Sequence, residues 1–202
     1  MTGRCHILRV MTTLLILATA VMVAAGDEVV ATGTISGTVT ARQSRHIKNT
    51  LIYVDGNHGD FAAPPDPIVI DQVNARFVPS RVSILPGTTI DFANNDHGYH
   101  TVYSLDGETF DLGAWSPGET RSHTFRKLGV YTLLCKLHPH MVGYVAVVAN
   151  PFSAWTDDHG TFRIPDVPAG THVIKVWNAR RRAEQLEVEA GEETSVSIVL
   201  ER

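Results

Sequence analysis

Residues 89–92 alternate polar and apolar side chains in the order Thr89-Ile90-Asp91-Phe92. The same two-residue period predicts strands over 34–40, 49–54, 88–93, 101–105, 120–125, 130–135 and 143–149. Residues 76–85 read as a further strand region, broken at Pro79. These runs are rich in Val, Ile, Thr, Phe and Tyr, and Gly, Pro, Asn and Asp cut them apart. Residues 55–67 form a Gly-, Pro- and Asp-rich loop, and Pro86-Gly87 marks a turn. Helical periodicity is scarce. The pattern predicts an all-β chain built as a Greek-key β-sandwich. In 131–135 the period places Tyr131, Leu133 and Cys135 on one face, so Cys135 is delivered from a strand end.

The texture changes at Pro151. Strands are expected over 161–164, 171–178, 186–188 and 194–200. Turns are expected at Asp157-Asp158-His159-Gly160 and over 165–170. This second series predicts a small β-sandwich of its own. Arg180-Arg181-Arg182 reads as a solvated hairpin tip.

Residues 1–25 have the grammar of a secretory signal peptide. Arg4 and Arg9 supply a basic start, 10–23 is an uncharged apolar run, and Val23-Ala24-Ala25 offers a cleavage point. The run is short for a bilayer span, so no stable membrane insertion is expected after cleavage. The expected location is periplasmic or secreted. Removing the segment leaves 15 Lys and Arg against 21 Asp and Glu, a net charge of −6 instead of −4. An acidic chain does not suit nucleic-acid binding. Of the two cysteines, Cys5 leaves and Cys135 remains. A lone thiol in an oxidising compartment is a liability unless something occupies it, and a metal is the simplest occupant.

The segment Cys135-Lys136-Leu137-His138-Pro139-His140-Met141 puts a thiolate, an imidazole and a thioether within seven residues. Thiolate and thioether are soft ligands that favour copper(I), and imidazole serves both copper states. A trigonal His₂Cys plane with a weak axial Met needs one more histidine from upstream. Asn94-Asn95-Asp96-His97-Gly98-Tyr99-His100 supplies two candidates, and His100 is favoured because it directly precedes a predicted strand. The expected metal ligands are therefore His100, Cys135, His138 and Met141. His97 and His140 remain open as additional copper contacts. A thioether argues against zinc.

On these residues, 68–149 resemble a cupredoxin, a plastocyanin- or amicyanin-like blue copper domain. The Cys-x-x-His-x-x-Met spacing of the amicyanin ligand loop is met by Cys135, His138 and Met141, with Pro139 also in place. The family's upstream ligand maps to His100. The chain departs from the family at Thr101, where relatives usually carry an Asn that ties the two ligand loops together. It departs again at His140, where amicyanin-like proteins carry an aromatic residue. Residues 154–177, with Asp157-Asp158-His159-Gly160-Thr161-Phe162-Arg163-Ile164-Pro165, resemble the carboxypeptidase-regulatory-like, transthyretin-like fold. Residues 33–40 and 51–54 fit that family's first two strands. The cupredoxin is thus expected to be inserted into a regulatory-like domain made of 30–57 plus 150–202.

The resemblance implies a type 1 copper protein that carries single electrons between transient redox partners, with one copper ion and no enzymatic activity. It also resembles periplasmic proteins grouped with methylamine-utilisation genes, a grouping that fixes no substrate. The competing reading is a copper delivery or storage module without redox turnover, in which His97 and His140 pass the metal on.

Overall fold

The computed structural model describes residues 31–43, 47–191 and 193–200, without the side chains of 181–184. The expected signal segment, 1–25, lies outside the described residues. Among the described residues every regular element is a strand. They run in the order β1 (Thr32–Ala41), β2 (Thr50–Val54), β3 (Ile68–Val73), β4 (Arg76–Val78), β5 (Arg81–Ile84), β6 (Thr89–Asn94), β7 (His100–Ser104) and β8 (Phe110–Trp115). Then come β9 (Thr120–Thr124), β10 (Gly129–Leu134), β11 (Val142–Val147), β12 (Ser153–Trp155), β13 (Thr161–Pro168), β14 (Gly170–Asn178), β15 (Arg181–Ala190) and β16 (Glu193–Leu200).

The middle of the chain forms two sheets, ordered β4-β3-β6-β9 and β5-β11-β10-β7-β8. Their inward side chains make one buried cluster that includes Ile70, Phe92, Phe125, Tyr131, Leu133 and Val145. Period two explains which residues enter it. In β6, Ile90, Phe92 and Asn94 are buried while Thr89, Asp91 and Ala93 are half-exposed. Each fully buried Leu or Phe contributes about 1.5–3 kcal/mol. β10 and β7 are antiparallel neighbours, with Leu134 opposite Tyr103. The C-terminal end of β10 and the N-terminal end of β7 therefore emerge at one edge of the sandwich, where the ligand residues collect.

The ends of the chain build two further sheets, β13-β1-β16 and β12-β2-β14-β15. Ile35, Val39, Ile52, Phe162, Ile174 and Val176 belong to their buried cluster. Neither β1 nor β2 belongs to the two sheets that contain β3 to β11. The two connections between the sandwiches run side by side. Val54 N–H donates to Phe152 O at 2.9 Å. The buried Asn150 amide donates to Val54 O at 3.0 Å and Gly56 O at 2.8 Å.

The sandwiches also share a face. Leu51, Ala146 and Val148 are buried together, with Tyr53, Val130, Trp155 and Trp177 packed around them. Tyr144 completes an aromatic group, with its ring centroid 6.1 Å from Trp155 and 5.4 Å from Trp177. Arg81 spans the seam, donating to Thr156 O at 2.9 Å and lying 5.9 Å over the Trp155 ring.

Three strands escape the alternation pattern. β3 begins at Ile68, directly after the expected loop. β8 contains Gly113 at φ 71°, and its pairing with β7 shifts register between Thr101 and Tyr103, so a bulge interrupts its period. β12 is only three residues long. The expected turn over 165–170 is instead strand as far as Pro168. Asp166 at φ 58° forms an irregularity there, opposite the register shift between Gly33 and Ile35. Proline and a left-handed Asp signalled a reversal, but the chain bulges and continues.

Candidate metal centre

Cys135 follows the last residue of β10 on the same face as Tyr131 and Leu133, and it is only 4% exposed. His100 opens β7, pairs with Trp115 on β8 and is 1% exposed. After Cys135 the chain turns back on itself, with Met141 N–H donating to His138 O at 2.9 Å. That turn brings the half-buried His138 beside the thiol and sends Met141 into the same buried cluster as Cys135.

The Cys135 Sγ lies 3.8 Å from His100 Nδ1 and 3.7 Å from His138 Nδ1. The three ligand atoms all fall within 4.8 Å of one another. Metal–nitrogen bonds of about 2.0 Å and metal–sulfur bonds of about 2.3 Å, opened at a trigonal angle, separate N and S by about 3.8 Å. The donors are thus spaced to hold one ion without rearrangement. Among the described residues this is the one cluster of three such donors. His97 and His140 are exposed and lie outside it. His123 stacks on Phe110 at 4.0 Å, and His58 packs edge-on against His172 at 4.7 Å.

The thiol is prepared for a metal. Burial pushes its pKa up, but the hydrogen bond from the Thr101 amide, the contacts with His100 and His138 and the Thr101 hydroxyl outweigh this and bring it down to about 6. The group is therefore largely thiolate at neutral pH, the form that ligates. Thr101 N lies 3.5 Å and Thr101 Oγ1 3.7 Å from Sγ. The same Oγ1 accepts the Lys136 N–H at 2.7 Å. One hydroxyl thus joins the upstream ligand strand to the ligand loop and still has its own proton to aim at sulfur. Thr101, a departure from the resemblance noted above, thus ties the two loops together.

Asp96 adds a contact that the spacing of the candidate ligands does not reveal. Its Oδ2 lies 3.0 Å from His100 Nε2. Backbone amides of Ala75 and His97, together with the contact to His100, outweigh the burial cost and hold its carboxyl down at about 2. Its only sequence signal is an acid four residues before a candidate ligand. Next in sequence to His138 and His100, Leu137 is 51% and Tyr99 60% exposed.

Residues 67–148 match the sequence model of the family described as "Copper binding proteins, plastocyanin/azurin family". Similar solved structures include a purple cupredoxin from Nitrosopumilus maritimus, 29% identical over 40% of this chain and 98% of its own, with a TM-score of 0.37. A reduced amicyanin variant is 24% identical over 42% of this chain and 84% of its own, at 0.39. A copper-containing nitrite reductase from Thermus scotoductus is 25% identical over 54% of this chain and 28% of its own, at 0.40. The family match and the chemistry of the donors agree. The cofactor is copper, and the cluster of His100, Cys135 and His138, with Met141 beside it, suits a type 1 site.

Proposed function

We propose that this chain is a blue copper protein that carries single electrons between redox partners outside the cytoplasm, with His100, Cys135 and His138 as equatorial ligands and Met141 as the axial one. The observation that carries the reading is the spacing of the three donors, already set for a trigonal ion at a buried strand end. Copper supplies the one-electron exchange. The protein residues hold the donors still, keep water from sulfur and lend hydrogen bonds to the thiolate. Little movement between redox states is what a carrier needs.

The exposed rim around His138, with Leu137, Tyr99 and Val142, fits brief contact with a partner rather than a permanent interface. The second sandwich reads as a carboxypeptidase-regulatory-like domain split by the copper-binding domain, which the side-by-side connections support. It holds the carrier in a fixed orientation through the Trp155 and Trp177 seam. The signal-like start of the sequence supports an extracytoplasmic site. A delivery role would pass copper through His97 and His140, which are exposed and lie outside the three-donor cluster.

The test is the visible spectrum of copper(II)-loaded protein before and after ascorbate. An intense thiolate-to-copper band that bleaches on reduction and vanishes in Cys135→Ser is the expected result. A faint band that is unchanged in that variant would overturn the proposal.

A further inference from the structure

The His100 ring presents Nδ1 to the thiol, at 3.8 Å from Sγ, and Nε2 to Asp96 Oδ2 at 3.0 Å. A carboxylate can only accept, so the proton of a neutral His100 sits on Nε2 and the Nδ1 lone pair is left for the metal. With the ring 1% exposed, water is not at hand to take that proton, and Asp96 is the acceptor. Two backbone amides fix the carboxylate, and a third bond fixes the residue's own backbone. Ala75 N–H, from the turn between β3 and β4, donates to the same Oδ2 at 2.7 Å. His97 N–H donates to Oδ1 at 2.8 Å. Asp96 N–H donates to Asn94 Oδ1 at 3.1 Å, and the Asn94 amide donates onward to Gly98 O and Trp115 O. The side chain is 14% exposed, so its charge is only partly shared with solvent.

We propose that Asp96 is the positioning residue of the site, fixing the His100 tautomer and ring plane and, through its negative charge, favouring copper(II) over copper(I). The inference rests on the blue copper reading given above. An imidazole that donates to a carboxylate is a more basic ligand, and a more basic ligand stabilises the more highly charged ion. The charge therefore sets the reduction potential lower than a neutral acceptor would.

The test compares Asp96→Asn, close to isosteric but uncharged, with Asp96→Glu, which keeps the charge. In copper-loaded protein, Asp96→Asn is expected to shift the copper(I)/copper(II) balance about tenfold toward copper(I), a rise of about 59 mV for one electron. Copper(II) affinity is expected to fall about 10- to 100-fold. Asp96→Glu should recover most of the potential. In copper-free protein, nitrogen NMR should show a slowly exchanging His100 Nε2 proton in the wild type, and in Asp96→Asn that proton should exchange faster. Equal potentials in wild type and Asp96→Asn, or equal shifts in the Asn and Glu variants, would overturn the assignment, because a purely structural role would not depend on charge. The NMR measurement needs no copper. If wild type gave no charge-transfer band but the His100 proton still depended on Asp96, the blue copper reading would fail while the positioning role survived.

Discussion

Replacing Thr101 with Val removes one hydroxyl and keeps the shape of the side chain. Two consequences can be separated. Lys136 N–H loses the acceptor it holds at 2.7 Å, and an unpaired donor costs about 1–3 kcal/mol, here toward the lower value because the site is only partly buried. The thiolate loses a hydroxyl donor at 3.7 Å and keeps the Thr101 amide at 3.5 Å. Sulfur carries more negative charge when copper is reduced, because it then donates less density to the metal. A hydrogen bond to it therefore stabilises the reduced protein more than the oxidised one. A net hydrogen bond is worth about 0.5–1.5 kcal/mol. Taking about 0.5–1 kcal/mol as the difference between states gives a fall in potential of about 20–45 mV for Thr101→Val. Voltammetry on copper-loaded protein reads the shift, and urea unfolding reads the stability loss. Thr101→Ser should return the potential to the wild-type value. A potential in Thr101→Val within about 10 mV of wild type, or above it, would refute the argument that the hydroxyl proton points at sulfur.

Copper-free protein should gain stability as pH rises from about 6 toward 9. The folded thiol titrates at about 6 against an ordinary value of 9.0, so in that window the unfolded chain binds the extra proton; stability is lost again as pH falls through 6. Denaturant midpoints at several pH values check this, and Cys135→Ser should flatten the slope. Trp155→Ala should cost about 2–4 kcal/mol, because it strips a ring from the seam between the sandwiches, while leaving the visible copper spectrum unchanged. Residues 67–149 expressed alone should bind a dye such as ANS and unfold at lower denaturant than the full chain, since Val130, Tyr144, Ala146 and Val148 lose their cover.

The metal site was the most legible part of the sequence. Three of the four candidate ligands, Cys135, His138 and Met141, sit on one short loop whose spacing limits the chemistry, and Cys135 follows a strand whose period could be read directly. The expected split of the second sandwich rested on two short motifs; β1 pairs with β13 and β16, and β2 with β12 and β14. What escaped has physical causes. β8 hides behind the left-handed Gly113, which breaks the alternation. The Pro165-Asp166 pair reads as a turn because local chemistry is the same for a turn and a bulge, and only pairing with β1 separates them. The role of Asp96 depends on a contact between a turn and a ring, and the seam depends on which outward faces meet. In β14, for example, alternation shows that Lys175 and Trp177 share a face but not that Trp177 packs near Tyr144.

β1 and β16 lie parallel along eight consecutive residue pairs, from Thr34 with Glu193 to Ala41 with Leu200. Tension applied at Thr32 and Leu200 would therefore pull the pair lengthwise, loading many hydrogen bonds together rather than unzipping them one by one. The copper-binding sandwich hangs from β2 and β12, off that line of force. Tension along that line would be taken up in the β1–β16 pairing, and the geometry around Cys135 would be spared.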